Sequence, residues 1–371
     1  MPMESIVREV ITRAGEEPRV PEAPTSGMGG FAADDAELER ILASLRTNIK
    51  IVGVGGGGTN TIDRLVEAGI VGAELFAANT DAQHLLTIRA PHKILLGRRT
   101  TRGLGAGALP QVGEEAAREA EEELRAALQG ADMVFITCGL GGGTGTGGAP
   151  FIAQMSKELG ALTIAICTFP FRAEGAIRAE NAEYGLEKLR NFADTVIVIP
   201  NDKLIELVPR LALNAAFRVA DDVLMRAIKG ITEVITKPGL VNLDFNDIKT
   251  IMKGGGVAMI GLGESESDRR SEEAIEEAIN SPLIDVDISG ATGALINVTG
   301  GTDMTVSEAE KVAEIVQARI SPNARIIWGA TIDPSLQHKI RVMLILTGVK
   351  SKQIYGPEVL QRREAGVDVV R

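Results

Sequence analysis

The sequence predicts an α/β fold in two parts: a parallel sheet covered on both faces by helices and, beyond a long connecting helix, a smaller α+β unit. Three observations carry that prediction. Short apolar runs alternate with amphipathic helical stretches from residue 49 to about 200, the pattern of strands buried between crossover helices. One long helical pattern follows at roughly 212 to 236, with Phe217, Val219, Val223, Leu224, Ile228, Ile231 and Ile235 recurring near the 3.6-residue period until Pro238 and Gly239 stop it. A separate alternation begins after residue 253. At roughly 100 to 200 residues per domain, a chain of 371 residues that is 44% hydrophobic accommodates two domains with a substantial core.

Taken in order, residues 1–34 read as a flexible arm, because EEPRVPEAPTSGMGGFAADD offers too little apolar surface to offset its ordering entropy. Residues 35–47 read as a helix, with Leu38, Ile41, Leu42 and Leu45 at helical spacing and Asp34 or Asp35 as the cap. The Rossmann-like domain spans 48–211 and contains the runs IKIVGV, TNTIDRLVEAG, AELFAAN, KILLG, a single long helix VGEEAAREAEEELRAAL, ADMVFITC, a helix at 148–159, ALTIAICTF, a helix at 175–191 and DTVIVIP. The connecting helix occupies 212–238. The second unit, 239–348, contains GVAMIGLGES, a helix at 267–280, GALINVTG, a helix at 305–320, ARIIWGATI and KIRVMLILTGV. The charged, weakly patterned residues 349–371 form a terminal tail.

Composition excludes several classes of function. A net charge of −11, with 39 Lys and Arg scattered among 50 Asp and Glu, leaves no basic stripe for nucleic acid. Cys138 and Cys167 end strand-like runs, as buried reduced thiols do, and show neither a disulfide framework nor zinc spacing. The N-terminus carries acids where a signal peptide has its apolar core, and no apolar run approaches the ~20 residues that span a bilayer. The expectation is a cytoplasmic protein without direct membrane insertion.

Glycine supplies the chemistry. IVGVGGGGTNT fits GxGxxG at Gly53, Gly55 and Gly58, and with Gly56, Gly57, Thr59 and Asn60 it lies between a strand and a helix, where backbone amides can cradle phosphate. On its own the loop also suits NAD, with Glu74 or Asp81 gripping a ribose, or a tight turn with no ligand. A second loop, GLGGGTGTGGAP at 139–150, places Gly141, Gly142, Gly143, Thr144, Gly145, Thr146 and Gly147 after another strand of the same sheet. Two such loops can wrap one triphosphate from opposite sides, with Thr144 and Thr146 adding hydroxyls and the following helix its positive end. TRGLGAGALP at 101–110 is a third glycine-bearing loop that could close over the phosphates. With no GxxxxGK[ST] motif, a triphosphate would be held by neutral backbone dipoles and a metal ion. Further on, NLDFND reads as a helix start, with Asn242 or Asp244 as the cap and Asp247 in the first turn.

GGGTGTG at 141–147 resembles the signature of FtsZ, the prokaryotic branch of the tubulin superfamily. The likeness extends through GGGGTN at 55–60, NTDAQ at 79–83, GLGAG at 103–107, FPFRAEGAIR at 169–178, IPNDKL at 199–204, ADDVL at 220–224 and NLDFND at 242–247. GLGAGALP and IIWGATID look more like the archaeal branch. This resemblance implies the tubulin/FtsZ fold and a cell division GTPase that binds GTP or GDP with Mg2+ or K+, polymerises head-to-tail into protofilaments and forms a ring at midcell. Position by position it implies that Gly55 to Asn60 and Gly141 to Gly147 contact the phosphates, Glu174 and Arg178 the ribose and neighbouring groups, Asn201 and Asp221 the guanine edge, and Phe217 the guanine face. Asp244 and Asp247, with Asn242, would act in trans on the nucleotide of the next subunit. Family members commonly carry Asn where this chain has Leu109. The bacterial peptide that binds membrane tethers is not recognisable, and GVDVVR at 366–371 stands where another adaptor would bind. Outside the resemblance, the rival readings are an NAD-dependent oxidoreductase and a nucleotide-gated scaffold with negligible turnover.

Overall fold

The structure, a computed structural model, describes residues 47–207, 213–236, 240–241, 243–281 and 288–349. The arm, nearly all of the 35–47 helix, Asn242, the stop at Pro238 and Gly239, and nearly all of the tail lie outside the described residues. The strands are β1 (Ile49–Val54), β2 (Ala73–Asn79), β3 (His92–Leu95), β4 (Met133–Gly139), β5 (Leu162–Phe169), β6 (Thr195–Pro200), β7 (Gly256–Ser265), β8 (Gly293–Gly300), β9 (Arg325–Ile332) and β10 (Ile340–Thr347). The helices are α1 (Gly55–Glu67), α2 (Ala82–Thr87), α3 (Pro110–Glu119), α4 (Glu121–Leu128), α5 (Thr144–Glu158), α6 (Ala176–Phe192), α7 (Asn201–Leu207), α8 (Leu213–Thr236), α9 (Phe245–Met252), α10 (Arg270–Ile279) and α11 (Val306–Gln317).

All ten strands join one sheet in the order β3-β2-β1-β4-β5-β6-β7-β10-β8-β9. From β3 to β7 every neighbouring pair is parallel; β10 then runs antiparallel to both β7 and β8. The two halves of the sequence pattern thus share a sheet. They meet where β6 pairs with β7 at Thr195–Gly256, Val196–Val257 and Ile197–Ala258.

Alternating residues of these strands feed opposite faces. Ile49, Ile51, Ile164, Ile166, Ile197 and Ile199 meet α1 through Ile62 and Leu65, and α8 through Val219, Val223, Ile228 and Ile231. The same cluster reaches Ile260 of β7, Leu295 of β8 and Ile345 of β10, so α8 is packed against both halves. On the other face Val52, Val54, Val134, Ile136, Ala165 and Cys167 meet α3, α4, α5 and α6. Because β1 connects to β2 and β4 to β5 across opposite faces, a crevice opens at the carboxyl ends of β1 and β4, the switch point where ligands of such sheets bind.

Three local features differ from expectation, and the start of α9 agrees with it. Both helices begin inside the glycine loops, α1 at Gly55 and α5 at Thr144, ahead of the expected starts near 59 and 148. The single helix expected over 112–128 is two, interrupted at Ala120 (φ −96°, ψ 17°), which lets Ala116, Ala117, Leu124 and Leu128 all bury. The short helices α2 and α7 have no counterpart in the sequence reading. At the start of α9, Asp244, one of the two expected caps, accepts from the Asn246 backbone N–H at 3.2 Å.

Glycine at the helix–helix contact of α3 and α5 is a steric requirement. A Cβ on Gly147 would land on the Pro110 carbonyl oxygen, and one on Gly113 on that of Gly143, whereas one on Gly142 meets nothing within 4 Å. Gly147→Ala should therefore lower the stability of the nucleotide-free protein by about 1–3 kcal/mol, read from its urea midpoint. Gly142→Ala should stay within about 0.5 kcal/mol of the parent.

Candidate functional site

The carboxyl ends of β1 and β4 bring the two glycine loops into backbone contact. Gly55 sits at φ +73°, and a Cβ there would lie 2.8 Å from the Gly145 nitrogen. A Cβ on Gly57 would come within 3.3 Å of the Gly139 nitrogen. The third loop joins them, with the Gly143 N–H donating to the Gly107 carbonyl at 2.8 Å. Neither α1 nor α5 has a side-chain cap, and neither carries an acid in its first turn. Two uncapped helix N-termini therefore converge, a geometry able to receive an anion. Around it the backbone is open, since a Cβ at Gly56, Gly105, Gly107 or Gly142 would touch nothing within 4 Å.

The threonines of these loops brace them. Thr59 Oγ1 donates to the Gly55 carbonyl at 2.8 Å and is fully buried. Thr146 Oγ1, also buried, accepts from the Gly141 N–H at 2.9 Å. Thr144 Oγ1 and Thr80 Oγ1 lie 2.6 Å apart. Asn60 Oδ1 is 3.0 Å from His84 Nε2.

Polar groups flank the loops along the same edge. Glu174 accepts from the Phe171 N–H at 2.9 Å and pairs with Arg178 at 3.0 Å; the Arg178 backbone in turn closes on Gly141. Phe217 on α8 is 39% exposed and stands edge-on to Phe171, ring centroids 5.1 Å apart. Asn201, at the end of β6, has a buried Oδ1 with no hydrogen-bond partner among the described residues. That orphaned acceptor is costly unless a ligand donates to it. Asp221 on α8 lies 3.8 Å from Arg64 Nε of α1. Burial pushes its carboxyl up to about 7, Arg64 working against the shift and Asp222 adding to it.

The residues of the NAD alternative are poorly placed. Glu74 is the second residue of β2, at the far end of that strand, and Asp81 is occupied capping α2 through the His84 N–H at 3.0 Å. Leu109 precedes Pro110 at the start of α3, 59% exposed and making no side-chain cap. Among the described residues, no group of three or more His, Cys, Asp or Glu side chains could hold a metal ion. No described helix is long and apolar enough to cross a membrane.

Asp244 and Asp247 are exposed and stand apart from this site. The last turn of α9 is tied to the opposite edge of the sheet, where Thr195 Oγ1, on the first residue of β6, donates to the Met252 carbonyl at 2.5 Å. An eight-residue helix spans about 12 Å, less than the ~20 Å length of a six-residue strand such as β6. Within one chain the two carboxylates cannot reach the glycine loops. Sequence reasoning gave no role to Asn79, Thr80 and His84, which support the loops from the end of β2; NTDAQ was the signal, a polar cluster directly after a buried strand.

Comparison with known proteins places the chain in a family. The Tubulin/FtsZ family GTPase-domain model matches residues 48–209, and the FtsZ family C-terminal domain model matches 256–350. Cell division protein FtsZ 1 of Archaeoglobus fulgidus is 57% identical over 370 residues, covering 100% of both chains. That of Pyrococcus furiosus is 56% identical, covering 95% of this chain and 94% of its own. An empty FtsZ dimer from M. jannaschii superposes with a TM-score of 0.82 at 56% identity, over 86% of this chain and 93% of that one. GDP-bound CetZ1 of Haloferax volcanii, at 22% identity and a TM-score of 0.73, over 86% of this chain and 100% of that one, shares the fold. The chain is a GTPase and belongs to the tubulin/FtsZ family.

Proposed function

We propose that this protein is a cytoplasmic cell division GTPase that polymerises head-to-tail into protofilaments, forms the ring at midcell and hydrolyses GTP at subunit interfaces. The observation that carries the reading is the separation of parts: an anion site at one edge of the sheet, and Asp244 and Asp247 tied to the other. The functional division follows the same lines, with a GTP-binding domain at 48–211, a connecting helix at 212–238 and a C-terminal domain at 239–348 that carries the NLDFND loop. Adaptors or membrane tethers would dock through the tail.

In this reading the first-turn N–H groups of α1 and α5 hold the phosphates, with Asn60 beside them. Glu174 and Arg178 hold the ribose. Asn201 Oδ1 accepts from the base, ionised Asp221 accepts from guanine N1–H and N2–H together, and Phe217 stacks on the ring. The donor set fits Mg2+ only as a passenger on the phosphates, since the described residues provide no cage of their own. When bound there, the cation, Mg2+ or K+, would neutralise phosphate charge. Water attack needs little covalent help from the protein, so Asp244 and Asp247 of the neighbour need only orient and polarise the water. Different surfaces meet at such a contact, and it extends into open filaments rather than closing into a dimer.

Three outcomes check this reading. GTP turnover per subunit should rise steeply across a dilution series; turnover independent of concentration would sink the in-trans scheme. Asp244→Ala and Asp247→Ala should bind GTP and still assemble by light scattering, while phosphate release falls by roughly 10²-fold; Asp244→Ala should also lose about 1 kcal/mol of stability with its cap. For Asp221, the folded pKa of about 7 lies above that of an unfolded aspartate. The nucleotide-free protein therefore loses stability as pH rises toward 7, and no further from this group above it. Nucleotide binding requires the carboxylate, so GDP affinity should climb from pH 5 to about 7 and then level off. Asp221→Asn should bind more weakly and lose that climb in a calorimetric titration.

A further inference from the structure

Four polar side chains between α1 and the end of β2 form an ordered relay whose hydrogen positions can be deduced link by link. Asn79 Oδ1 accepts from the backbone N–H of Thr80 at 2.8 Å and of Asp81 at 3.3 Å. These two donors fix the orientation of the Asn79 amide, so its Nδ2 faces His84 Nδ1 at 3.1 Å. Nδ1 must then be the acceptor, and the imidazole proton is on Nε2. Nε2–H donates to Asn60 Oδ1 at 3.0 Å. Thr59 Oγ1 also lies 3.3 Å from Nδ1, but its proton is engaged by the Gly55 carbonyl at 2.8 Å, so it cannot replace Asn79 as the donor.

The end of the relay is Asn60. With Oδ1 facing His84, its Nδ2 is left as a donor with no acceptor among the described residues. Asn60 stands one turn beyond Gly56 on α1, and helical side chains tilt toward the N-terminus, so the amide overlies the exposed Gly56 backbone at the open part of the cradle. His84 is itself held in place, because its backbone N–H is capped by Asp81 and α2 is tied to the third glycine loop by the Ala82 N–H donating to the Gly103 carbonyl at 3.1 Å.

We propose that His84 is a positioning residue for nucleotide binding: as the neutral Nε2–H tautomer it turns the Asn60 amide so that Nδ2 is presented to the phosphates. His84 touches no nucleotide itself. It couples the amide of α1 to the backbone at the end of β2, and the third glycine loop through α2, so that one donor of the cradle is oriented before the nucleotide arrives. This inference rests on the reading of Asn60 as a phosphate contact.

The test is a double-mutant cycle on the full chain, with GTP and GDP affinities measured by calorimetry below the assembly concentration. His84→Leu, which fills the space without either hydrogen bond, should weaken GTP binding by roughly three- to tenfold. His84→Gln offers an acceptor and a donor at similar spacing and should recover affinity to within about twofold. In an Asn60→Ala background, His84→Leu should have no further effect. If the loss from His84→Leu persists undiminished in that background, or if His84→Leu binds as the parent does, the relay is wrong. If Asn60→Ala alone binds GTP as tightly as the parent, the phosphate role of Asn60 fails, a result distinct from the other two.

Discussion

Backbone must touch backbone where β1 and β4 end, and most of the molecule is arranged around that constraint. The contacts of Gly55 with Gly145 and of Gly143 with Gly107 leave no room for a Cβ on Gly55 or Gly143, and that of Gly57 with Gly139 leaves little on Gly57. Such proximity brings the N-termini of α1 and α5 together, and the absence of capping side chains leaves their amides available. It also dictates the packing behind the loops. The α5 and α3 helices approach so closely at Gly147 and Gly113 that their glycines are as constrained as those facing the cradle, although they lie outside it.

Charge enters this site sparingly. There is no lysine of the P-loop kind, and beside the loops α8 and α1 offer a buried aspartate, Asp221, whose ionisation is suppressed by its surroundings, and an arginine, Arg64, partly offsetting that. In the proposed reading, neutral dipoles held in fixed directions would do the holding. Fixed dipoles need no reorganisation on binding, but they must be aimed by neighbours, a part that the hydrogen bonds of Thr59, Thr146, Thr80 and the side chains behind Asn60 would serve.

Much of the fold was legible because buried parallel strands are nearly uninterrupted apolar runs: IKIVGV and TVIVIP lie within two strands whose bounds match the text. Helix starts were less so. Glycine is a poor helix former, and nothing local in GGGGTN shows that helical geometry begins at Gly55; the close approach to α5 selects it. The break at Ala120 has no Gly or Pro to mark it, and the pairing of β6 with β7 joins residues some sixty positions apart through three register pairs. At the site, the glycine loops could be read from residue types alone. Asn201, Phe217 and Asp221 could be found only through resemblance, since burial and the orphaned oxygen of Asn201 arise from tertiary packing. The role proposed for His84 was open to neither, because it depends on the orientation of two amides distant in sequence.

Cys138 and Cys167 are register partners on β4 and β5, both fully buried beneath α5. Burial pushes the Cys138 thiol up to about 12 and holds that of Cys167 well above its ordinary value, with its neighbour adding to the effect. Thiolate is the reactive form, and in the folded chain it is suppressed at both positions. The native protein is therefore a silent background for thiol chemistry: a cysteine placed on its surface can carry a fluorophore or spin label by itself, with neither natural thiol needing removal.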